Sequence, residues 1–300
     1  MESAAPLFES EQHIQQFAAG LRTVSLAKHI DYRPSTGSTN DLALEAGRAG
    51  EPHGKLFVTD EQSAGRGRRG RNWESPPGKG LLFSVLVRLS SSDSGNGLSW
   101  TESSDTGWVP LVAGVACVEA VQDACRLALN TKWPNDLVVP ATDSPGWRKV
   151  GGILCESVLA QTESAGQGFV VIGVGLNVNH TQDELPQLAK APPSSLYLER
   201  ARVGARLTIL SAMLERLEIR LRQLCNSAQG GVLKDEIRGR LFQWWHEGRT
   251  LNVQPGTADD PTEDVVAGKF GGLDEFGRLK LIEHSGRERV FADAEILSIC

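Results

Sequence analysis

The nine residues Gly65-Arg66-Gly67-Arg68-Arg69-Gly70-Arg71-Asn72-Trp73 admit two folds, and the choice between them organises the rest of the chain. Gly65, Gly67 and Gly70 satisfy G-x-G-x-x-G, the fingerprint of a dinucleotide-binding βαβ unit. That fingerprint works only when its last glycine opens a helix whose N-terminal amides face a pyrophosphate. Here the chain continues Glu74-Ser75-Pro76-Pro77-Gly78, and two prolines followed by glycine cannot carry a helix. The doubly wound fold is therefore set aside. What remains is four arginines, Arg66, Arg68, Arg69 and Arg71, within six residues and with no acid between them, in a chain of net charge -6. They repel one another, which suits a glycine-hinged, mobile loop that a polyanionic ligand neutralises and orders. Guanidinium forks and glycine-freed amides match phosphate and carboxylate oxygens, so the loop reads as an anion trap. A merely solvated arginine turn is the plainer alternative, and this loop alone leaves it open.

The bounds around the loop are those of an ordinary globular chain. Its 300 residues, 40% hydrophobic and 23% charged, suffice for one good core plus a small second domain. The start, Met-Glu-Ser-Ala-Ala-Pro, has neither basic n-region nor apolar h-region, so no secretion or membrane span is expected. Five scattered cysteines without C-x-x-C argue against a disulfide framework and a zinc site and fit a reducing cytoplasm. The acidic balance argues against general nucleic-acid binding.

Outward from the loop, Lys55 to Thr59 and Leu81 to Leu89 read as strands, the second with apolar odd positions, so the loop is slung between them. Residues 1 to 30 form a helical lead-in with Ile14, Phe17, Leu21 and Val24 at spacings of three and four. Gly37-Ser38-Thr39-Asn40-Asp41 starts a helix, with Ser38 and Asp41 as a near capping box. Residues 91 to 107 are a polar excursion. Val109 to Leu129, Ala205 to Leu224 and Val232 to His246 show helical periodicity, and their apolar stripes read as core; the last carries Leu233, Ile237, Leu241, Trp244 and Trp245. Beyond Gly248 come short alternating segments, Thr250 to Val253, Val265 to Phe270, Arg278 to Ile282 and Arg289 to Phe291, separated by turns. They predict a small β-barrel of SH3-like size with its boundary near 246 to 249.

Three further stretches carry chemistry. Thr131-Lys132-Trp133-Pro134-Asn135-Asp136 reads either as a strand ending in a turn or as a corner that holds a cation, an amide and a metal-facing carboxylate. Arg148-Lys149-Val150-Gly151-Gly152-Ile153-Leu154 and Ile172-Gly173-Val174-Gly175-Leu176-Asn177 are strands whose glycines mark either bulges or close approach by a ligand.

Taken in order, Gly-Ser-Thr-Asn, Glu-Gln-Ser-Ala-Gly-Arg-Gly-Arg-Arg-Gly-Arg-Asn-Trp, Lys-Trp-Pro-Asn-Asp-Leu, Arg-Lys-Val-Gly-Gly-Ile-Leu and Ile-Gly-Val-Gly-Leu-Asn resemble the bacterial biotin protein ligases over roughly residues 35 to 300. Each motif is weak alone; five in register are specific. The resemblance implies an α+β fold: a mixed sheet like that of class II aminoacyl-tRNA synthetases, flanked by helices, followed by an SH3-like barrel. The domains would be a helical extension over 1–30, a catalytic domain over 31–247 and the barrel over 248–300. It implies an ATP-dependent ligase that activates biotin as biotinyl-5′-AMP with Mg2+ and then modifies a lysine of a biotin carboxyl carrier protein, a subunit of a biotin-dependent carboxylase. Bringing a carboxylate to a phosphate needs the cations these motifs supply.

Carried over by position, Ser38, Thr39, Asn40 and Gln62 resemble contacts to biotin, together with Arg66, Gly67 and Arg68 of the loop. Lys149 resembles the lysine at the biotin carboxylate, with Gly151 and Gly152 letting the strand run against the ligand. Lys149, Arg68, Lys132 and Asp136 are the implied catalytic groups, with Asp136 the candidate for metal. Arg68, Arg71, Trp73, Asn135 and Asn177 are the implied ATP contacts. Many relatives also carry an N-terminal DNA-binding domain. Only 34 residues precede the matching region here, fewer than the roughly 60 a winged helix-turn-helix needs, so a monofunctional ligase without DNA binding is expected. A homodimer stays open. The rivals are a lipoate-type ligase, a nucleic-acid module using the arginines on phosphates, and a biotin-binding relative without catalysis; Lys149, Arg68 and Asp136 speak against the last.

Overall fold

The computed structural model describes residues 5–90, 98–99, 103–141, 146–159, 168–186, 192–199, 205–245, 249–255 and 264–299. Its centre is a mixed sheet whose strands run in the order β1 (Ile30–Thr36), β2 (Leu56–Gln62), β3 (Gly80–Ser90), β8 (Phe169–Asn177), β7 (Trp147–Val158), β6 (Asp136–Pro140) and β5 (Asn130–Lys132). A two-residue β4 (Leu98–Ser99) pairs with β3 off this path. The β1–β2 pair is parallel; every other pair along the path is antiparallel.

Both faces of the sheet are covered, which explains why β3 is buried continuously from Gly80 to Val87 rather than alternating inside and out as its odd-position pattern predicts. Leu81, Phe83, Val85 and Val87 belong to the large core packed against α3 (Val109–Cys125) and α5 (Arg206–Cys225), the latter preceded in the chain by the short α4 (Leu196–Glu199). Leu86 joins a second cluster with Phe57, Phe169, Val171 and Ala43 under α2 (Thr39–Arg48). Strands buried on two faces lose the period-2 signature. The helix α3, with the turn before it, is apolar and long enough to cross a membrane, and 67% of that window is buried in the protein. Its polar stripe is no free surface either: Glu119 binds Arg220 and Arg240, and Asp123 binds Arg216, docking α3 on α5 and α6 (Ser227–Trp245).

Several expectations need correction. The first helix, α1 (Glu11–Gly20), is capped by Ser10 and stops before Leu21; Val24 lies beyond it and is 74% exposed. Strand β1 was illegible because Ile-Asp-Tyr-Arg-Pro-Ser-Thr is mostly polar and contains proline, a composition tolerated at a sheet edge. Helix α6 starts five residues before Val232; the sequence does not signal those residues because Gly230 and Gly231 depress helix propensity. The stretch 91–107 lies largely outside the described residues, as do the boundary at 246–248 and the side chains of Trp244 and Trp245.

The C-terminal strands β9 (Thr250–Pro255), β10 (Val266–Leu273), β11 (Leu279–Glu283), β12 (Glu288–Phe291) and β13 (Ala294–Ile299) form one antiparallel sheet in the order β12-β11-β10-β9-β13. The strand β13 escaped the sequence reading. This second sheet is seated on the first through the β10–β11 turn: Trp108 Nε1 donates to Glu275 O (2.7 Å) and Trp133 Nε1 to Gly277 O (3.1 Å). Leu251, Val253 and Phe270 continue the main hydrophobic core.

Candidate active site

A cavity of about 630 Å³ lies on the α2 side of the sheet. Its floor is made by residues that share one face of neighbouring strands: Gly152 and Leu154 on β7, which pair with Gly175 and Gly173 on β8. The glycines are there for clearance. A Cβ on Gly173 would sit 1.9 Å from Asn40 Oδ1, and one on Gly175 would sit 2.5 Å from the Trp73 ring. Gly152 meets the Trp73 ring too, at 3.3 Å. For Gly173 and Gly175 of β8, whose pairing is regular on both sides, the bulge reading gives way to close approach, by the Asn40 and Trp73 side chains. Gly151 does not line the cavity; a Cβ there would enter the opposite face, against Leu137 and Leu176.

The strand β7 does hold a bulge, at Val150. Val138 of β6 pairs with Lys149 and Leu137 with Gly151, so one residue of β7 is left over. In a regular strand Lys149 and Gly152, three apart, point to opposite faces. The extra residue brings them to the same face, with Lys149 Nζ 3.5 Å from where a Gly152 Cβ would be. Without that bulge the lysine would be in the core.

Lys149 meets Lys132 and Asp136 in one corner. Asp136 Oδ1 lies 2.6 Å from Lys149 Nζ, and its Oδ2 lies 3.5 Å from Lys132 Nζ. Burial works to raise the Asp136 pKa, but the two ammonium groups together hold it below the usual carboxylate value. Burial pulls Lys132 down, against the pull of Asp136, and its ammonium also faces the Trp147 ring at 5.1 Å. Both Asp136 oxygens lie on ammonium groups, and no group of three His, Cys, Asp or Glu side chains is assembled among the described residues.

At the other end, Ser38 occupies the cap position of α2 but its hydroxyl makes no cap bond. The expected partner Asp41 is paired with Arg66 (2.8 Å) instead. The Thr39 N–H and hydroxyl donate to Gln62 Oε1 (2.8 and 3.2 Å), which turns the amide nitrogen of Gln62 outward. Asn40 is bound at both ends, its Oδ1 accepting from Ser84 Oγ (2.6 Å) and its Nδ2 donating to Glu156 (2.8 Å) and Leu154 O (3.2 Å). Asn177 spends its Nδ2 on Ser194 O (3.0 Å), leaving Oδ1 as the atom it can offer.

The arginine loop differs most from expectation. The negative charge it lacks in sequence is supplied by the fold. Arg66 is held by Glu156 and Asp41. Arg68 and Arg69 share Asp293, and Arg71 pairs with Glu295; both acids flank the start of β13. Arg68 is further oriented by Asn135, whose Oδ1 accepts at 3.0 Å while its Nδ2 donates to Ile153 O. The argument that self-repulsion leaves the loop mobile thus loses its premise. Arg69 at φ 59 and Gly70 at φ 70 turn the chain through the left-handed region, the one place in the loop where glycine's freedom is needed. Beyond it Trp73 lies over the glycine floor, with Lys149 Nζ 5.7 Å from its ring centroid and its indole N–H buried without a partner.

All the site residues read from the sequence except Gly151 thus line one cavity: Ser38, Thr39, Asn40, Gln62, Arg66, Gly67, Arg68, Arg71, Trp73, Lys132, Asn135, Asp136, Lys149, Gly152 and Asn177. Ser84, Glu156, Asp293 and Glu295 were missed, because a serine in an apolar strand and isolated acids give no signal without their partners.

The biotin/lipoate A/B protein ligase family model matches residues 32–177. A biotin--[acetyl-CoA-carboxylase] ligase of Mycobacterium tuberculosis is 30% identical over 301 residues, covering 98% of this chain and 96% of that protein. The bifunctional ligase/repressor BirA of Bacillus subtilis is 28% identical over 278 residues, 92% of this chain and 77% of that protein. Among solved structures, the biotin protein ligase from Aquifex aeolicus in complex with biotin and ATP superposes with a TM-score of 0.66 at 24% identity, over 89% of this chain and 98% of that one.

Proposed function

The chain belongs to the biotin/lipoate A/B protein ligase family, and from that premise we propose that it is a biotin protein ligase: it condenses biotin with ATP to biotinyl-5′-AMP and passes the biotinyl group to a lysine of a carboxylase carrier protein. The observation that carries this reading is the meeting of Lys149, Lys132 and Arg68 in one cavity with the hydroxyl and amide groups of Ser38, Thr39 and Gln62. In the first step a carboxylate oxygen attacks the α-phosphorus and pyrophosphate leaves. Two anions must be brought together, and preorganised cations in a partly buried site reduce that cost. Lys149 stands beside the Trp73 ring at the edge of the glycine floor, and Arg68 is preset by Asn135.

The ring end of biotin carries one carbonyl and two N–H groups, which suit the outward Gln62 amide and the Ser38 and Thr39 hydroxyls. The Trp73 face and the Asn177 Oδ1 suit adenine, whose amino group needs an acceptor. Mg2+ enters on the phosphates of ATP as part of the substrate. In the second step the neutral amine of the acceptor lysine attacks the acyl carbon, and AMP leaves.

We read the central sheet as synthetase-like and the C-terminal sheet as an SH3-like domain, and the free cysteines Cys117, Cys125, Cys155 and Cys225 support a cytoplasmic setting. The test is ATP–pyrophosphate exchange with biotin, lipoate and octanoate as competing acids. Exchange with biotin above the other two is expected; lipoate above biotin would move the chain to the other branch of its family, and no exchange with any acid would end the proposal.

A further inference from the structure

We infer that Glu156 is a positioning residue for the reaction: its one carboxylate sets both the arginine loop and the start of α2 against the ligand cavity. This rests on reading that cavity as the site where biotinyl-5′-AMP forms. Glu156 stands on β7, four residues beyond Gly152 on the same face, at the edge of the glycine floor. Its Oε1 accepts from Arg66 Nη1 (2.9 Å), while its Oε2 accepts from Arg66 Nη2 (2.7 Å) and from Asn40 Nδ2 (2.8 Å). The Arg66 contact is the bidentate fork, which fixes direction as well as distance. Asp41 adds a second carboxylate on Nη2, at 2.8 Å.

The consequence lies in what Arg66 and Asn40 are attached to. Arg66 precedes Gly67 and Arg68, so anchoring its side chain anchors the loop backbone two residues before the arginine that reaches for phosphate. Asn40 follows Thr39, whose N–H and hydroxyl orient Gln62. Ser84 Oγ completes the chain, lying 2.8 Å from Thr39 Oγ1 and 2.6 Å from Asn40 Oδ1 while itself fully buried. The Asn40 amide and both terminal nitrogens of Arg66 are therefore taken up by internal bonds. They act through the segments they hold, with Glu156 as the shared anchor 90 and 116 residues away in sequence.

Glu156→Gln keeps the shape but turns an amide NH2 toward donors, breaking the fork. The test follows biotinyl-5′-AMP made in place from labelled biotin and ATP, without acceptor, and measures how fast it leaves the enzyme. Loss about tenfold faster than wild type is expected for Glu156→Gln and for Arg66→Gln, with melting temperatures within a few degrees of wild type. Because both break the same link, the double variant should be no worse than about twofold beyond the weaker holder. Wild-type retention by Glu156→Gln, or single effects that multiply in the double variant, would overturn the inference. If Glu156→Gln does not fold, Glu156→Asp replaces it, since the shorter acid cannot span both partners; several-fold faster loss supports the inference and wild-type retention overturns it. Failure of the wild type itself to accumulate the adenylate is the separate failure of the proposed function, and it removes this inference too.

Discussion

The lysine–aspartate corner and the arginine loop both gather cations at one cavity, yet they balance them in different ways. In the corner the neutralising acid is local: Asp136 pairs with Lys132 across the β5–β6 hairpin, and Lys149 lies on the next strand, so sheet register sets the distances. The three groups are buried or nearly so, with side-chain exposures of 6%, 15% and 20%. For Arg68, Arg69 and Arg71 of the loop the acids come from 224 or 225 residues away, at the start of a strand of the second sheet, and Asp293 is 47% exposed. Buried charges separated from a partner keep their desolvation cost, whereas exposed ones fall back on water and salt. The corner is thus a fixed electrostatic element, and the loop is held by contacts that a polyphosphate can replace.

The sharpest way to break this contrast is Asp136→Asn. It leaves two buried ammonium groups facing each other, and a loss of about 3 to 5 kcal/mol is expected in urea unfolding; a loss below about 1 kcal/mol would show that the corner is not buried in the energetic sense. Next, Lys149→Met should lower biotin-dependent pyrophosphate exchange by about 100- to 1000-fold, and Arg68→Ala by about 100-fold, as removal of one preorganised charge donor does. If Arg68→Ala proved the more severe, the division of labour drawn here would be reversed.

Acid gives a third measure. Burial holds His180, whose Nε2 lies 3.0 Å from Ser75 Oγ just past the loop, at a pKa of about 4 against 6.5 for the free side chain. Between those values the unfolded chain takes up the proton and the folded one does not. Stability is therefore complete above about 6.5 and falls as pH drops toward 4, by up to about 3 kcal/mol for this group. His53, also near 4 through burial, adds in the same direction. The Asp136 contribution, from a depressed pKa, is lost only at lower pH still. Melting curves from pH 7 to 4 check the slope, and His180→Gln should flatten it.

The smallest effect belongs to Asp293→Asn, within about 1 kcal/mol of wild type in stability. Its signature is kinetic: tryptic cleavage in the loop should rise several-fold, and saturating ATP with biotin should suppress the rise. Unchanged cleavage would mean that the loop does not depend on the second sheet.

Much of the site was legible because its chemistry is written in short runs. The arginine loop, Lys132 to Asp136, Lys149 with Gly152, and Ser38 to Asn40 each announce themselves by residue type and spacing, and the fold brings them to one cavity. The fold was less legible where burial overrides pattern: β3 is buried on two faces, and β1 carries too few apolar residues to signal a strand. The shift of Lys149 onto the floor face was beyond sequence reading, since nothing in Lys-Val-Gly-Gly marks Val150 as the residue the neighbouring strand leaves unpaired.

The sequence by itself determined that the chain forms helices and strands around a cationic glycine loop, and which groups are able to handle anions, because helix periodicity, proline and charge act over a few residues. Only the tertiary structure decided which acid answers each cation, which glycines make room and for what, and which face Lys149 takes. Those outcomes depend on strand register and on contacts between residues far apart in the chain, where ion-pair energies and steric limits apply only after the backbone has been brought together.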